Sequence, residues 1–190
     1  MTSEFVHLHN HSDYSLLDGA QKIDQLVNTI DDLNMDAVAL TEHGNMFSVL
    51  PYYKQAKKAG IKPIIGCEIY VAVGSRFEKK TRSDGGWGNN HLILLAQNFT
   101  GYKNLMKLVT AGYLEGFYYR PRIDMDLLRE YSEGLICMSA CLKGVVPEKM
   151  LKGDYEGARK EALLFSEIFQ DRYYLEIQNH GIPEAVSYTH

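Results

Sequence analysis

"AVALTEHGNMFSVLPYYKQAKKAGIKPIIGCEIYVAV", residues 37–73, contains a whole strand–helix–strand unit. Ala37 to Thr41 is an apolar run of strand length, too short for a helix. Met46 to Ala59 reads as a helix, and Gly60 closes it because glycine readily takes positive φ. Ile61 to Ile65 is the next strand, and Ile69 to Val73 another. Strand, helix and strand in this order form the repeat of α/β folds, where parallel strands are joined by crossover helices.

The alternation continues in both directions. Upstream, Phe5 to His9 reads as a short strand and Ala20 to Leu33 as an amphipathic helix with Ile23, Leu26, Val27, Ile30 and Leu33 on one face. Downstream, Leu92 to Ala96 is a strand, separated from Ile69–Val73 by the polar, glycine-rich stretch Gly74 to Asn90. That stretch predicts a hairpin extension with a mobile tip. Tyr102 to Tyr113 follows as a helix, Gly134 to Ser139 as a strand, Tyr155 to Phe169 as a helix and Arg172 to Ile177 as a strand. An α/β barrel and an open doubly wound sheet both fit this pattern, and periodicity does not choose between them.

Composition narrows the function classes. The chain has 190 residues, 45% hydrophobic and 23% charged, with no apolar stretch near the roughly 18 residues a membrane span needs. The start, Met-Thr-Ser-Glu-Phe, lacks the basic and then apolar pattern of a secretory signal, so the expected location is cytoplasmic, with no membrane partner. Cys67, Cys137 and Cys141 match no disulfide framework. A net charge of −4 argues against gripping DNA by overall electrostatics, although Lys54, Lys57, Lys58 and Lys62, and Arg76, Lys79, Lys80 and Arg82, form local basic clusters. Each cluster taken alone reads as a solvated face.

The metal-capable residues collect at strand ends. His9 and His11 follow the first predicted strand, Glu42 and His43 the second, Glu68 the third, and Cys141 the Gly134–Ser139 strand. Catalytic groups converge at that edge in barrels and open α/β sheets alike. Residues two apart on an extended chain point to the same side, so His9 and His11 can grip one ion together. Imidazoles with carboxylates such as Glu68 and Asp18 suit zinc, manganese or iron, and a Cys141 thiolate leans toward zinc. His7, His180 and His190 read as ordinary hydrogen-bonded histidines or as supports behind the ligands. Cys67 and Cys137, in apolar strand context, read as packing.

"HLHNHSDYSLLDG", "LTEHGNMFSVLPYYKQAKKAGIKPIIGCEIYVA", "NHLILLAQNFTGYKNLMKL", "YLEGFYYRPRID", "SACLKG" and "YLEIQNHG" together resemble the polymerase-and-histidinol-phosphatase (PHP) domain found at the N-terminus of bacterial replicative DNA polymerase III alpha subunits. The resemblance runs from about Phe5 to Pro183. It implies a distorted TIM-like barrel of seven βα units with up to three divalent ions, and as ligands His9, His11, Asp18, His43, Glu68, His91 and Cys141. Only the resemblance makes His91 a ligand, because it precedes its predicted strand. Glu42 stands where many relatives have aspartate and is given a supporting role behind the metal. The family's last ligand pair has no counterpart, and "AVSYTH" departs from the family. Residues 1–184 are therefore expected to be an incomplete PHP domain lacking its C-terminal strands, and 185–190 a non-native or disordered tail.

For function the resemblance implies part of a DNA-directed DNA polymerase, a nucleotidyltransferase whose magnesium-dependent polymerase domain lies outside this chain. The complete PHP domain would be a metal-dependent 3′→5′ proofreading exonuclease, with the fragment alone incompletely loaded and inactive. Arg76, Lys79, Lys80, Arg82, Arg120 and Arg122 are candidate DNA backbone contacts. Partners would be DNA and, through the full-length protein, a proofreading subunit and a sliding clamp. The alternatives are a structural and docking module without catalysis, and a free-standing phosphoesterase.

Overall fold

α1 (Ile23–Asp32) turns Ile23, Leu26, Val27 and Ile30 inward at the expected spacing, and they pack in one cluster with Val38 and Leu40 of β1 (Ala37–Leu40) and Tyr52 and Ala56 of α2 (Val49–Lys58). The computed structural model describes residues 5–16, 18–80, 88–178, 181 and 183. α2 starts later than Met46 because the Asn45 side chain accepts the Phe47 N–H at 3.0 Å and holds a turn. Pro51 then falls in the first helical turn, where a missing N–H is tolerated.

Two predicted strands prove to be one. β2 (Lys62–Ala72) is a single 11-residue strand that changes neighbours along its length. From Lys62 to Ile65 it runs parallel to β1, and from Gly66 to Ala72 it runs antiparallel to β3 (Asn89–Ala96). Gly66 marks the changeover: a Cβ there would lie 2.6 Å from Leu95 Cδ2 and 2.8 Å from Thr41 Cγ2. The glycine that looks like a break between strands is a point of close approach within one strand.

The hairpin expected across Gly74–Asn90 is present as the β2–β3 pairing, while its tip, residues 81–87 with Arg82, lies outside the described residues. β4 (Arg122–Ile123) pairs with β2. The sheet then continues from β3 through β5 (Leu135–Met138) to β6 (Tyr173–Tyr174), six strands in the order β1-β2-β3-β5-β6 with β4 off the path. β3 is antiparallel to both its neighbours and the remaining pairings are parallel. The sheet is therefore mixed rather than wholly parallel, and among the described residues it does not close. An α/β class and the form of a partial barrel result.

Phe5–His9 is not a ladder strand. It runs beside β1 with the Ala39 N–H on His7 O at 2.8 Å and the Thr41 N–H on Asn10 O at 2.9 Å. Regular pairing stops because the Asn10 N–H goes to the Thr41 hydroxyl instead of a carbonyl. β6 is likewise shorter than Arg172–Ile177: β5 ends at Met138, and the Glu176 N–H goes to Ser139 Oγ at 2.8 Å.

α3 (Phe99–Leu114), α4 (Met125–Glu130), α5 (Val145–Leu151) and α6 (Tyr155–Phe169) complete the fold. One face of the sheet packs Cys67, Val71 and Leu94 against Leu108 of α3, Leu128 of α4 and Phe165 of α6. Cys67 and Cys137 are fully buried, and burial pushes both thiols well above their usual range, so they are packing residues. The other face opens into a cavity of about 760 Å³ whose walls include residues 5–9 and 174–178.

Residues 75–80 are tied down by two buried charges. Arg122 is only 1% exposed, and its guanidinium donates to the carbonyls of Gly116 (3.0 Å), Arg76 (3.3 Å) and Glu78 (2.9 Å). Asp124 caps α4 through the Leu127 N–H and also accepts from the backbone and guanidinium of Arg76. Burial would raise the Asp124 carboxyl, but the N–H donors of Arg76 and Leu127 and the Arg76 charge outweigh it and hold it below its usual value. A depressed folded value stabilises above the unfolded pKa of about 3.9 and is lost as pH falls through the folded value. Asp124→Ala should cost about 2 kcal/mol in urea unfolding at pH 7, and the gap from wild type should shrink below about pH 4. A gap that stays constant down to pH 2 would contradict the charge pairing.

Candidate metal centre

Five chain segments meet at the edge where β1 ends. His9 and His11 come from the N-terminal segment, His43 from the loop after β1, Glu68 from the middle of β2, His91 from the start of β3, and Cys141 from the loop after β5. Local main-chain bonds set the loop after β1 against β2: the Gly44 N–H meets Glu68 O at 2.7 Å and the Glu68 N–H meets Glu42 O at 3.0 Å. His91 reaches this edge because β3 is antiparallel. Its N-terminal end lies where the parallel strands have their C-terminal ends, with His91 opposite Tyr70. His91 thus lies inside its strand rather than before it, and Glu68 lies within β2 rather than after a strand.

Glu68 is the hub. It is 1% exposed, and its Oε2 lies 2.6 Å from His9 Nε2 and 3.2 Å from His11 Nε2. Its Oε1 lies 3.2 Å from His43 Nδ1 and also contacts His91 Nδ1. Asp18, on the exposed rim, meets His43 Nε2, and Cys141 Sγ stands 3.9 Å from His91 Nδ1. His11 and His43 stack with ring centroids 4.0 Å apart.

The donors form three adjoining groups: His9, His11 and Glu68; His11, Asp18 and His43; His43, Glu68 and His91. Within each, the ligand atoms lie within 4.8 Å of one another. His11 Nδ1 is buried without a hydrogen bond, His43 Nδ1 and Glu68 Oε1 are buried in ion-pair contact without an aligned hydrogen bond, and His9 Nε2 faces His11 Nε2 at 3.2 Å. Buried polar atoms are ordinarily satisfied. Orphaned nitrogens and carboxylate oxygens converging in this way fit divalent cations bound by imidazole and carboxylate.

Electrostatics in the metal-free chain follow the same geometry. Burial would raise the Glu68 carboxyl, but the surrounding histidines outweigh it and hold it far below the carboxylate range. Burial would lower His9, yet Glu176 and Glu68 outweigh it and push it up to about 9. His43 is raised in the same way, burial opposing and Glu68 and Asp18 prevailing, and the His43 hydrogen bond pulls Asp18 down.

Glu42 takes no part in the cluster. It is buried, and its carboxylate accepts from the Ser12 N–H and from the hydroxyls of Ser12 and Ser15. Ser15 Oγ in turn accepts the His43 N–H at 3.0 Å, so Glu42 anchors the turn that carries His11 and Asp18 against His43. His7 is exposed, edge-on to Phe5 and away from the cluster, while His180 and His190 lie outside the described residues.

Glu176 is the residue missed by sequence reasoning. Its Oε1 accepts from His9 Nδ1 at 2.7 Å and from Gln178 Nε2 at 2.6 Å, fixing the ring so that His9 Nε2 faces Glu68. The available signal was a lone carboxylate between Leu175 and Ile177 on a predicted strand. Carboxylates behind ligating histidines typically matter by about 10- to 100-fold in metal affinity. Glu176→Gln should weaken metal binding by about that factor in a competition titration against a fluorescent chelator. An unchanged affinity would remove Glu176 from the site.

Of the candidate DNA contacts, Arg122 belongs to the interior, because its donors are taken by three carbonyls. Arg76 is occupied by Glu115 (2.7 Å) and Asp124 (3.0 Å). Lys79 and Lys80 are exposed, and Lys80 lies 3.5 Å from Glu78. Arg120 is exposed beside the cluster, its guanidinium 5.7 Å from the Tyr70 ring, which itself lies 5.1 Å from His91 and 6.3 Å from His43. No helix among the described residues is long and apolar enough to cross a membrane.

Comparison with known proteins now adds to this geometry. DNA polymerase III subunit alpha of Borreliella burgdorferi is 56% identical over 96% of this chain and 16% of its own length. That of Treponema pallidum is 49% identical over 95% of this chain and 15% of its own. The chain thus spans about a sixth of these relatives. Among solved structures, a two-domain Bacteroides vulgatus protein described as containing a predicted PHP-like metal-dependent phosphoesterase is 20% identical, with a TM-score of 0.42 over 70% of this chain and 33% of its own. That likeness is too slight to carry an argument. The family model for the PHP domain matches residues 7–180. On that match and these sequence identities, the chain belongs to the PHP domain family.

Proposed function

We propose that residues 1–184 belong to the PHP domain of a bacterial DNA polymerase III alpha subunit, and that in the full-length protein their cluster serves a metal-dependent phosphodiesterase centre trimming DNA ends 3′→5′. The observation that carries the reading is one buried carboxylate, Glu68, set among His9, His11, His43 and His91 with orphaned donor atoms. Those residues with Asp18 and Cys141 would hold up to three ions of zinc, manganese or iron, Cys141 leaning toward zinc. Bound divalent ions supply Lewis acidity toward phosphoryl oxygens and bring the pKa of water to about 7.

The chain's own residues do the rest. Glu176 orients His9, and Glu42 holds the Ser12–Ser15 turn that places His11 and Asp18. Asp18 keeps His43 Nε2 engaged at the open rim. Arg120, held on the Tyr70 ring, is placed to bind a phosphate oxygen of the strand. In the full-length protein the partners would be DNA and the other replicase subunits, in the cytoplasm.

Digestion of a mismatched primer end by the full-length protein is the test. The His9→Ala, His11→Ala double variant should lose about 100-fold or more of it, and equal digestion in both would sink the reading. A structural reading draws on one observation, that the cluster ties together segments far apart in sequence. If chelation melts the domain while leaving end digestion unaltered, that reading takes over.

A further inference from the structure

Beside the cluster runs a row of exposed aromatic rings. Phe47, Tyr113 and Phe117 are 66%, 38% and 48% exposed, although aromatic side chains are normally well covered. Their centroids follow one another at 6.3 Å and 6.2 Å. The row belongs to the same edge as the metal donors: Phe47 lies four residues beyond His43, and α3 delivers Tyr113 beside Gly112, which packs on Pro121. A Cβ on Gly44, next to His43, would lie 2.8 Å from Pro121 Cγ and 2.9 Å from the Tyr70 ring, so the loop that carries His43 and Phe47 lies close to both Tyr70 and Pro121, the residue on which α3 packs at Gly112. Arg120 precedes Pro121. Its guanidinium is exposed and has no acidic partner among the described residues.

We propose that Phe47, Tyr113 and Phe117, with Arg120 at the inner end, form a platform that binds unpaired nucleobases and leads a single-stranded end to the metal cluster. Separate ring faces seat bases of any identity, because every base has a π-face, and a nearby guanidinium pairs with the phosphate between them. The cation answers the charge of the strand, and the loop that carries His43 also carries Phe47 at one end of the row. Delivery to the cluster rests on the phosphodiesterase reading, whereas base binding does not.

The test is fluorescence anisotropy with the 190-residue chain in chelator, using labelled oligo(dT) and an abasic oligomer of equal length. The wild type should bind oligo(dT) about 10-fold or more tightly than the abasic strand. Phe47→Ala with Phe117→Ala should erase that preference, and Phe47→Tyr with Phe117→Tyr should keep it, which separates ring loss from misfolding. Equal binding of the two oligomers by the wild type, or an unaltered preference in the alanine variant, overturns the platform. If the alanine variant changes only self-association in sedimentation, the row, flanked by exposed Leu50 and Leu114, is a protein contact and the proposal also fails.

Hydrolysis of bis(4-nitrophenyl) phosphate by the metal-loaded full-length protein tests the phosphodiesterase reading separately. Ring-dependent binding without that hydrolysis supports the platform and rejects the reading. Hydrolysis with ring-independent binding does the reverse.

Discussion

Replacing Glu68 by glutamine should strip the chain of metal. Glutamine preserves the shape but removes the charge that His9, His11, His43 and His91 all face. Loss of a carboxylate merely behind a ligand costs about 10- to 100-fold in affinity, and loss of the shared ligand should exceed that. In the metal-free chain a second effect appears. Glu176 and Glu68 outweigh burial and leave His9 protonated at pH 7, and removing one carboxylate from a buried charge network costs about 3 kcal/mol or more. Chelator competition reads the first effect and urea unfolding in chelator the second. Metal affinity equal to wild type would mean that Glu68 is not a ligand.

Arg122→Met should give the largest loss of stability away from the metal. Methionine fills much of the space but leaves the carbonyls of Gly116, Arg76 and Glu78 without their donor. Each buried acceptor left alone costs about 1–3 kcal/mol, so a total of about 3 kcal/mol or more is expected from the urea midpoint. Arg122→Lys keeps the charge without the planar fork and should recover less than half of the loss. The Arg122 guanidinium also lies 5.2 Å from the Tyr118 ring, and burial lowers its pKa. Wild-type stability in the methionine variant would show that water, not Arg122, satisfies those carbonyls.

Arg122 also illustrates what a sequence conceals. A buried arginine and a DNA-binding arginine look alike in "YYRPRID", and the low frequency of buried arginine favours the wrong choice. The strand–helix–strand unit of residues 37–73 was legible because periodicity and Gly60 mark its elements. The break at Gly66 was misleading, because a glycine needed for close strand approach has the same local signature as one in a turn. The direction of β3 is not encoded in apolar alternation, and that direction is why His91 reaches the site. β4, α4 and α5, at 2, 6 and 7 residues, are too short for a period to register. His9, His11 and His43 were legible from their spacing and strand-end placement. Glu176 was not, since its role exists only where residues 5–9 and 174–178 come together.

The central claim is that these side chains form a metal site, and metal content measures it directly. The 190-residue chain, equilibrated with zinc or manganese near pH 7.5 and freed of excess, should retain at least one divalent ion per chain by elemental analysis, and the Glu68→Gln variant essentially none. Metal-free wild type, or equal retention in the two proteins, would contradict it.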